Sequence, residues 1–213
     1  ILEIGCGWGG FGEFIGKNYN VKMDCITISK KQYDFAKKRI YKNGLNEKVN
    51  IQMLDYRDVY KKYNSIASIE MIEAVGKNYL PGYFKKIRES LNQNGIAAIQ
   101  AITIDDKIYD RYKLKTDFIQ KYIFPGGFLP SKKEILKLSN KNGLNFDKCN
   151  SYGLDYSNTL RIWRNDFQKK WDTISKQGFD ETFRRMWNFY LSYCEAGFKA
   201  KNIDLIQFSM NKN

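Results

Sequence analysis

The stretch that most constrains this chain is its first ten residues, Ile-Leu-Glu-Ile-Gly-Cys-Gly-Trp-Gly-Gly (Ile1 to Gly10). Ile1, Leu2 and Ile4 read as a short buried strand, Gly5, Gly7 and Gly9 as a turn, and Phe11 to Tyr19 as an amphipathic helix. Strand, glycine turn and helix in that order are the setting in which a glycine-rich loop binds a nucleotide. Without a Cβ the loop can turn sharply and let a ligand approach the backbone. The acid Glu3, just ahead of the first glycine, would repel a pyrophosphate. It suits a cationic ligand, an ammonium or a sulfonium. That points to S-adenosylmethionine rather than NAD or ATP; the alternative is a tight turn that binds nothing.

The chain opens inside this strand and without an initiator Met, so a missing N-terminal segment is expected. No stretch approaches the roughly 18 apolar residues of a membrane span. Cys6, Cys25, Cys149 and Cys194 are scattered, with no CxxC pair, and the sequence holds no histidine. Zinc chemistry is therefore not expected, nor any other metal site, and the plain reading is a reduced, cytoplasmic protein. The net charge of +13 asks for an explanation. Solvated lysine faces, an anionic membrane surface and nucleic acid are the three readings, in that order, because the lysines are spread in pairs and no nucleic-acid motif is present.

Val21 to Thr27 reads as a second strand, followed by a helix that Ser29 caps and Asn43-Gly44 ends. Val49 to Leu54 is a third strand and Ser65 to Met71 a fourth. A helix near Pro81 carries Tyr83, Phe84, Ile87 and Leu91 on one face, and Asn94-Gly95 is expected to stop it. Ile96 to Ile104 is a central buried strand. Strands alternating with helices imply an α/β fold, a doubly wound, mostly parallel Rossmann-like sheet. Ligands then sit beyond the carboxyl ends of the strands, which selects Gly5 to Gly9, Thr27, Asp55, Glu70 to Glu73 and Gln100 to Thr103. Asp105 to Pro130 is charged, aromatic and irregular, and is expected to form an active-site lid. Leu144 to Tyr152 returns to the sheet. Asp155 to Phe198 is a helical cover rich in aromatics and broken near Gly178, and Ile203 to Met210 is a last strand. One domain over residues 1–213 is expected, with the lid over about 105–130 and the cover over about 155–198.

Seven segments together carry a resemblance: Leu2 to Gly10, Ile26-Thr-Ile-Ser29 with Gln32, Asp55-Tyr-Arg-Asp58 and Ser68-Ile-Glu-Met-Ile-Glu-Ala-Val-Gly76; then Lys121-Tyr-Ile-Phe-Pro-Gly-Gly-Phe-Leu-Pro-Ser131, Asp155-Tyr-Ser-Asn-Thr-Leu160 with Trp163, and Tyr193-Cys-Glu-Ala-Gly-Phe198. In this order they resemble the cyclopropane-fatty-acyl-phospholipid synthase family, S-adenosylmethionine-dependent methyltransferases of class I fold. The resemblance runs essentially end to end. The lid segment ending Leu-Pro-Ser and the late Cys-Glu-Ala-Gly-Phe are its specific parts. It implies a methyl(ene) group moved from S-adenosylmethionine to the cis double bond of an unsaturated acyl chain in a membrane phospholipid. It also implies contact with the inner face of the membrane; a homodimer is left open. The alternatives are acyl methylation without ring closure, methylation of a small amine and, from another class, a basic nucleic-acid-binding protein.

The cofactor side comprises Glu3, Gly5, Gly7 and Gly9, with Thr27, Ile28 and Gln32 toward the ribose and Asp55 and Tyr56 bordering the adenine. Asp55 has a second reading as an ordinary turn acid. The resemblance implies a catalytic bicarbonate held by Glu73, Gln100, Tyr156 and a backbone group at Ile102, with Gln100 standing where a histidine is usual. An amide can donate to an anion but cannot titrate, so Glu73 becomes the proton acceptor or relay. Glu70, three residues earlier, reads second to Glu73, as a cofactor-side or structural acid. Cys194 reads first as a packing residue and second as a site residue. The aromatic stripe is open between ordinary core and an acyl-chain tunnel.

Overall fold

The computed structural model describes residues 1–212. Its elements, in chain order, are β1 (Leu2–Ile4), α1 (Gly10–Asn18), β2 (Met23–Thr27), α2 (Lys30–Lys42), β3 (Val49–Met53), β4 (Tyr63–Ile69) and α3 (Leu80–Ser90). There follow β5 (Leu91–Ile104), α4 (Asp106–Tyr112), α5 (Lys132–Lys141), β6 (Leu144–Ser151), α6 (Gly153–Lys169), α7 (Trp171–Ser175), α8 (Glu181–Lys199) and β7 (Ile203–Lys212). The seven strands form one sheet in the order β3-β2-β1-β4-β5-β7-β6. β1 to β5 are parallel neighbours, while β7 runs antiparallel between β5 and β6.

Side chains alternate across the strands, and that alternation builds two layers. Leu2, Ile4, Ile66, Ile99 and Phe208 face one way and pack under Tyr83, Phe84 and Ile87 of α3 and Ile135 and Leu138 of α5. On the other face, Cys25, Val49 and Ile51 are covered by Ala36 and Ile40 of α2 and by Phe11 and Ile15 of α1. At the far end of that same face, Leu205 and Ile102 are covered by Leu160 of α6 and by Leu191 and Phe198 of α8. Between these two covers the face is open. A cleft of about 310 Å³ there is lined by Phe11, Ile69, Ala98, Gln100, Asn150 and Gln207 among others.

The expected start and end of α2 are in place, and α5 is capped in the same way. Ser29 accepts from the Gln32 N–H, α2 ends at Asn43 with Gly44 at φ +65°, and Ser131 accepts from the Glu134 N–H. Three boundaries differ. The fourth strand ends at Ile69 rather than Met71, because Glu70 leaves the sheet at φ +49°. The helix at Pro81 stops at Ser90, not at Asn94-Gly95, since Leu91 already pairs with Tyr63. From Leu91 opposite Tyr63 the register moves to Ile96 opposite Ser65, so Asn94 (φ +60°) and Gly95 form a bulge inside β5. A bulge answers to the same turn residues as a helix stop. The region expected to be irregular holds α4 and a π-helical turn over Ile119–Ile123. The cover is three helices, interrupted at Lys170 as well as around Gly178.

Candidate active site

The first turn after β1 is shaped by two glycines for different reasons. Gly7 has φ +52°, and a Cβ on it would meet nothing within 4 Å, so the loop there faces open space. Gly12, in the first turns of α1, would press a Cβ within 3.0 Å of the Cys25 sulfur and 3.6 Å of Glu3 Oε2. The helix can lie down on the sheet only because no side chain is there. Glu3 is trapped beneath it, 2% exposed, with Oε2 buried and unpartnered. Burial pushes its carboxyl up to about 7, partly offset by the Cys25 thiol. Glu3 thus acts on the loop from below rather than from the open side.

Thr27, at the end of β2, is buried and donates its hydroxyl to Gln32 Oε1 at 2.8 Å, while also accepting from the Ser29 N–H at 3.2 Å. The bond occupies the Gln32 amide oxygen and leaves its amide N–H groups as the donors, and Ile28, between the two residues in sequence, is 72% exposed. Asp55 caps a 3-10 turn over Tyr56–Asp58 and is gripped by Arg57, from its N–H at 2.9 Å, Nε at 3.0 Å and Nη2 at 2.6 Å. The turn-acid reading of Asp55 describes these contacts. Tyr56 packs edge-on against the buried Tyr83, with centroids 5.6 Å apart.

The acids and polar groups at the ends of β4 and β5 meet, in a pattern that differs from the expected one. Tyr156 on α6 donates to Glu70 Oε2 at 2.9 Å, and Gln100 Nε2 donates to Glu70 Oε1 at 2.7 Å. Gln100 Oε1 in turn accepts from Gln207 Nε2 at 2.7 Å. Glu73, on a 3-10 turn, accepts the Ile102 N–H on Oε1 at 2.5 Å, and its Oε2 is buried without a partner. Burial first, and the Glu70 charge in a smaller measure, push Glu73 up to about 7 against the Ile102 hydrogen bond. Glu70, the residue read second, is therefore the hub. The four groups expected to cradle a bicarbonate do not present a free donor set. Ile102 is taken by Glu73, and Gln100 and Tyr156 are taken by Glu70. An added anion would also face two carboxyls. The residues present do not fit that ion.

Gln207 was not among the expected residues. Nothing near it in sequence marks it, and only the antiparallel pairing of Gln100 with Gln207 brings it to the site. Cys194, in the hydrophobic cluster with Tyr156, Trp187 and Tyr190, has its thiol pushed up to about 12 by burial. At neutral pH it is a packing thiol, not a nucleophile. Around the cluster stand Trp163, edge-on to Tyr156 at 5.9 Å, and Phe124, just after the π-helical turn, edge-on to Tyr190 at 6.0 Å. The segment over 105–130 is fastened to the site where the Phe128 N–H donates to the Glu73 carbonyl at 2.8 Å.

The strand order, the single reversed strand and the glycine loop after β1 define a class I S-adenosylmethionine-dependent methyltransferase fold. The sequence profile described as mycolic acid cyclopropane synthetase matches residues 1–208, and the chain belongs to that family. It is 38% identical over 212 residues to the tuberculostearic acid methyltransferase UfaA1 of Mycobacterium tuberculosis, covering 99% of this chain and 49% of that protein. It is 37% identical over 208 residues to the cyclopropane-fatty-acyl-phospholipid synthase of Escherichia coli, covering 97% of this chain and 52% of that one. The chain thus spans about half the length of these relatives. Among solved structures, the cyclopropane synthase MmaA2 of Mycobacterium tuberculosis shares the fold with a TM-score of 0.89 at 24% identity, over 99% of this chain and 77% of that one.

Proposed function

We propose that this chain moves a methyl group from S-adenosylmethionine to the cis double bond of an unsaturated acyl chain of a membrane phospholipid and closes a cyclopropane ring there. The observation that carries this reading is the meeting of Glu70, Gln100 and Tyr156 beside Glu73, at the strand ends next to the glycine loop and under an aromatic lid. S-adenosylmethionine, when bound, supplies an electrophilic methyl on a sulfonium. The loop from Gly5 to Gly9 would take its amino acid part, the Thr27–Gln32 pair its ribose, and Tyr56 with Asp55 would border the adenine.

An alkene is a weak nucleophile, so the double bond must be held against the methyl, away from water. The aromatic walls from Phe124, Trp163 and Tyr190 suit an acyl chain, and aromatic faces steady a passing positive charge. Methyl addition leaves a cation that must lose a proton, which calls for a carboxylate at the strand ends. Glu73, poised near neutrality, would hold a proton there or relay it. The protein would work in the cytoplasm, at the inner face of the membrane.

Lipid mass spectrometry of cells expressing the chain tests this: monounsaturated phospholipid chains should gain one CH2. NMR then separates a ring from a branch, and an unchanged lipid profile overturns the reading.

A further inference from the structure

Glu70 stands where the family resemblance puts a bound anion, and the structure holds it there by several independent means. Its backbone lies in the left-handed region at φ +49°, which side chains other than glycine enter at a cost. Its N–H is fixed to the Gln100 carbonyl at 2.9 Å. Its two oxygens each receive one donor, from Gln100 at 2.7 Å and from Tyr156 at 2.9 Å. The Gln100 amide cannot turn over without losing the Gln207 hydrogen bond at its other end. No Lys or Arg pairs with Glu70 among the described residues, so the acid is not placed to bind a cationic side chain. Strained backbone and neutral donors around an acid describe a preorganised base.

We propose that Glu70, in place of a bound bicarbonate, accepts the proton of ring closure, with Gln100, Gln207 and Tyr156 as its positioning residues. This rests on the methyl transfer proposed above. In the first step the alkene π pair forms a bond to the methyl carbon while the sulfur–methyl bond breaks. The sulfur keeps that pair and becomes a neutral thioether, and the positive charge passes to the other alkene carbon. In the second step a C–H bond of the transferred methyl breaks. Its electron pair forms the second ring bond, and its proton goes to a carboxylate oxygen of Glu70. The charge that arrived on the sulfonium leaves as that proton. Glu70 is an exposed residue, so solvent can take the proton and restore the carboxylate. Glu73 is less suited to the task, because its one unpartnered oxygen is buried and cannot hand a proton on to solvent.

The test uses the full chain in buffer stripped of carbon dioxide, with vesicles of a monounsaturated anionic phospholipid. Two readouts are taken: conversion of S-adenosylmethionine, and the line width of added 13C-bicarbonate, which needs no turnover. The wild type should turn over at the same rate with and without bicarbonate and should leave the 13C line sharp. Glu70→Gln should lower turnover by about 10²-fold or more with cofactor affinity unchanged. Glu70→Gly relieves the backbone and empties the site, so it should broaden the 13C line and regain rate only when bicarbonate is added. Gln207→Leu frees the Gln100 amide and should lower kcat several-fold while the KM for S-adenosylmethionine stays put; a parallel change in both would remove Gln207 from the proposal. A wild type that stalls without bicarbonate, or broadens the 13C line itself, overturns the proposal, as does Glu70→Gln at the wild-type rate. A chain that consumes no cofactor with any unsaturated lipid overturns the proposed function and Glu70's role as acceptor with it. The 13C arm still reports separately whether Glu70 fills the anion site.

Discussion

Glu73 and Glu3 are two carboxyls held out of water, each with one oxygen that finds no partner. Both are pushed up to about 7, chiefly by burial, against an ordinary value of about 4.3. A raised carboxyl binds its proton in the folded chain at pH values where the unfolded chain has released it. Stability therefore falls as pH rises from about 4.5 to 7 and levels off above. The ionisation cost at each site is on the order of 3–4 kcal/mol. Glu73→Gln keeps an oxygen for the Ile102 N–H and removes the ionisable group. It should melt roughly 6–15 °C above the wild type at pH 8 and level with it at pH 5, at about 2–4 °C per kcal/mol for a chain of this size. Melting curves across this range decide: the pH slope should be roughly halved, since Glu3 still contributes its share. An unchanged slope would mean that water reaches Glu73. At this scale the sequence was only half legible. Two acids three residues apart at a strand end were visible, but the backbone angle of one residue, Glu70, sets which of them meets Gln100 and Tyr156. A single sequence carries no mark of that angle.

At the scale of elements, strands and caps could be read directly because each rests on local chemistry. Apolar runs made β1, β2 and β5, and Ser29 and Ser131 cap α2 and α5 as hydroxyls at those positions do. The end of α3 could not be read, because pairing of Leu91 with Tyr63 overrides the turn preference of Asn94-Gly95. The segment over 105–130 was legible as a departure from the strand–helix alternation, but its α4 and π-helical turn were not. Gln120 is its clasp: its Nε2 donates to the Gly127 carbonyl at 3.0 Å, its N–H to Asp117 at 2.9 Å, and its Oε1 accepts the Asp117 N–H at 3.0 Å. Beneath it, the Tyr112 hydroxyl oxygen accepts from the Leu129 N–H at 3.1 Å. Gln120→Ala removes two of these bonds, at about 1 kcal/mol each, so locally unfolded forms of this segment should become roughly tenfold or more commoner. Trypsin cleavage at Lys121 should speed up in proportion, because cleavage follows the open population when reclosing is fast. Global melting should barely move, as the sheet is untouched. Unchanged cleavage would show that Phe128, packed on Tyr109 and Tyr112, holds the segment by itself.

Over the whole molecule, charge and apolar surface give two separable routes to a lipid surface. The chain carries +13, with lysines such as Lys30, Lys61, Lys85 and Lys137 well exposed. No helix among the described residues is long and apolar enough to cross a membrane. Beside the site, the segment over 105–130 and α8 expose Leu114 at 82%, Tyr122 and Phe124 at 54% and Phe189 at 52%. Each lysine near an anionic surface contributes about 1 kcal/mol, and that attraction is screened within about 10 Å at 0.1 M salt. Apolar contact does not respond to salt in this way. If charge recruits the protein and the lid region then inserts, affinity for anionic vesicles should fall at least tenfold between low and physiological ionic strength, leaving a salt-indifferent remainder that neutral vesicles share. Leu114→Ser should lower that remainder and leave the salt slope alone. Vesicle co-sedimentation over a salt series measures both. Binding that ignores salt, or that is equal on neutral and anionic vesicles, would make the positive charge a matter of composition. A steep slope on RNA with none on vesicles would return the charge to nucleic acid.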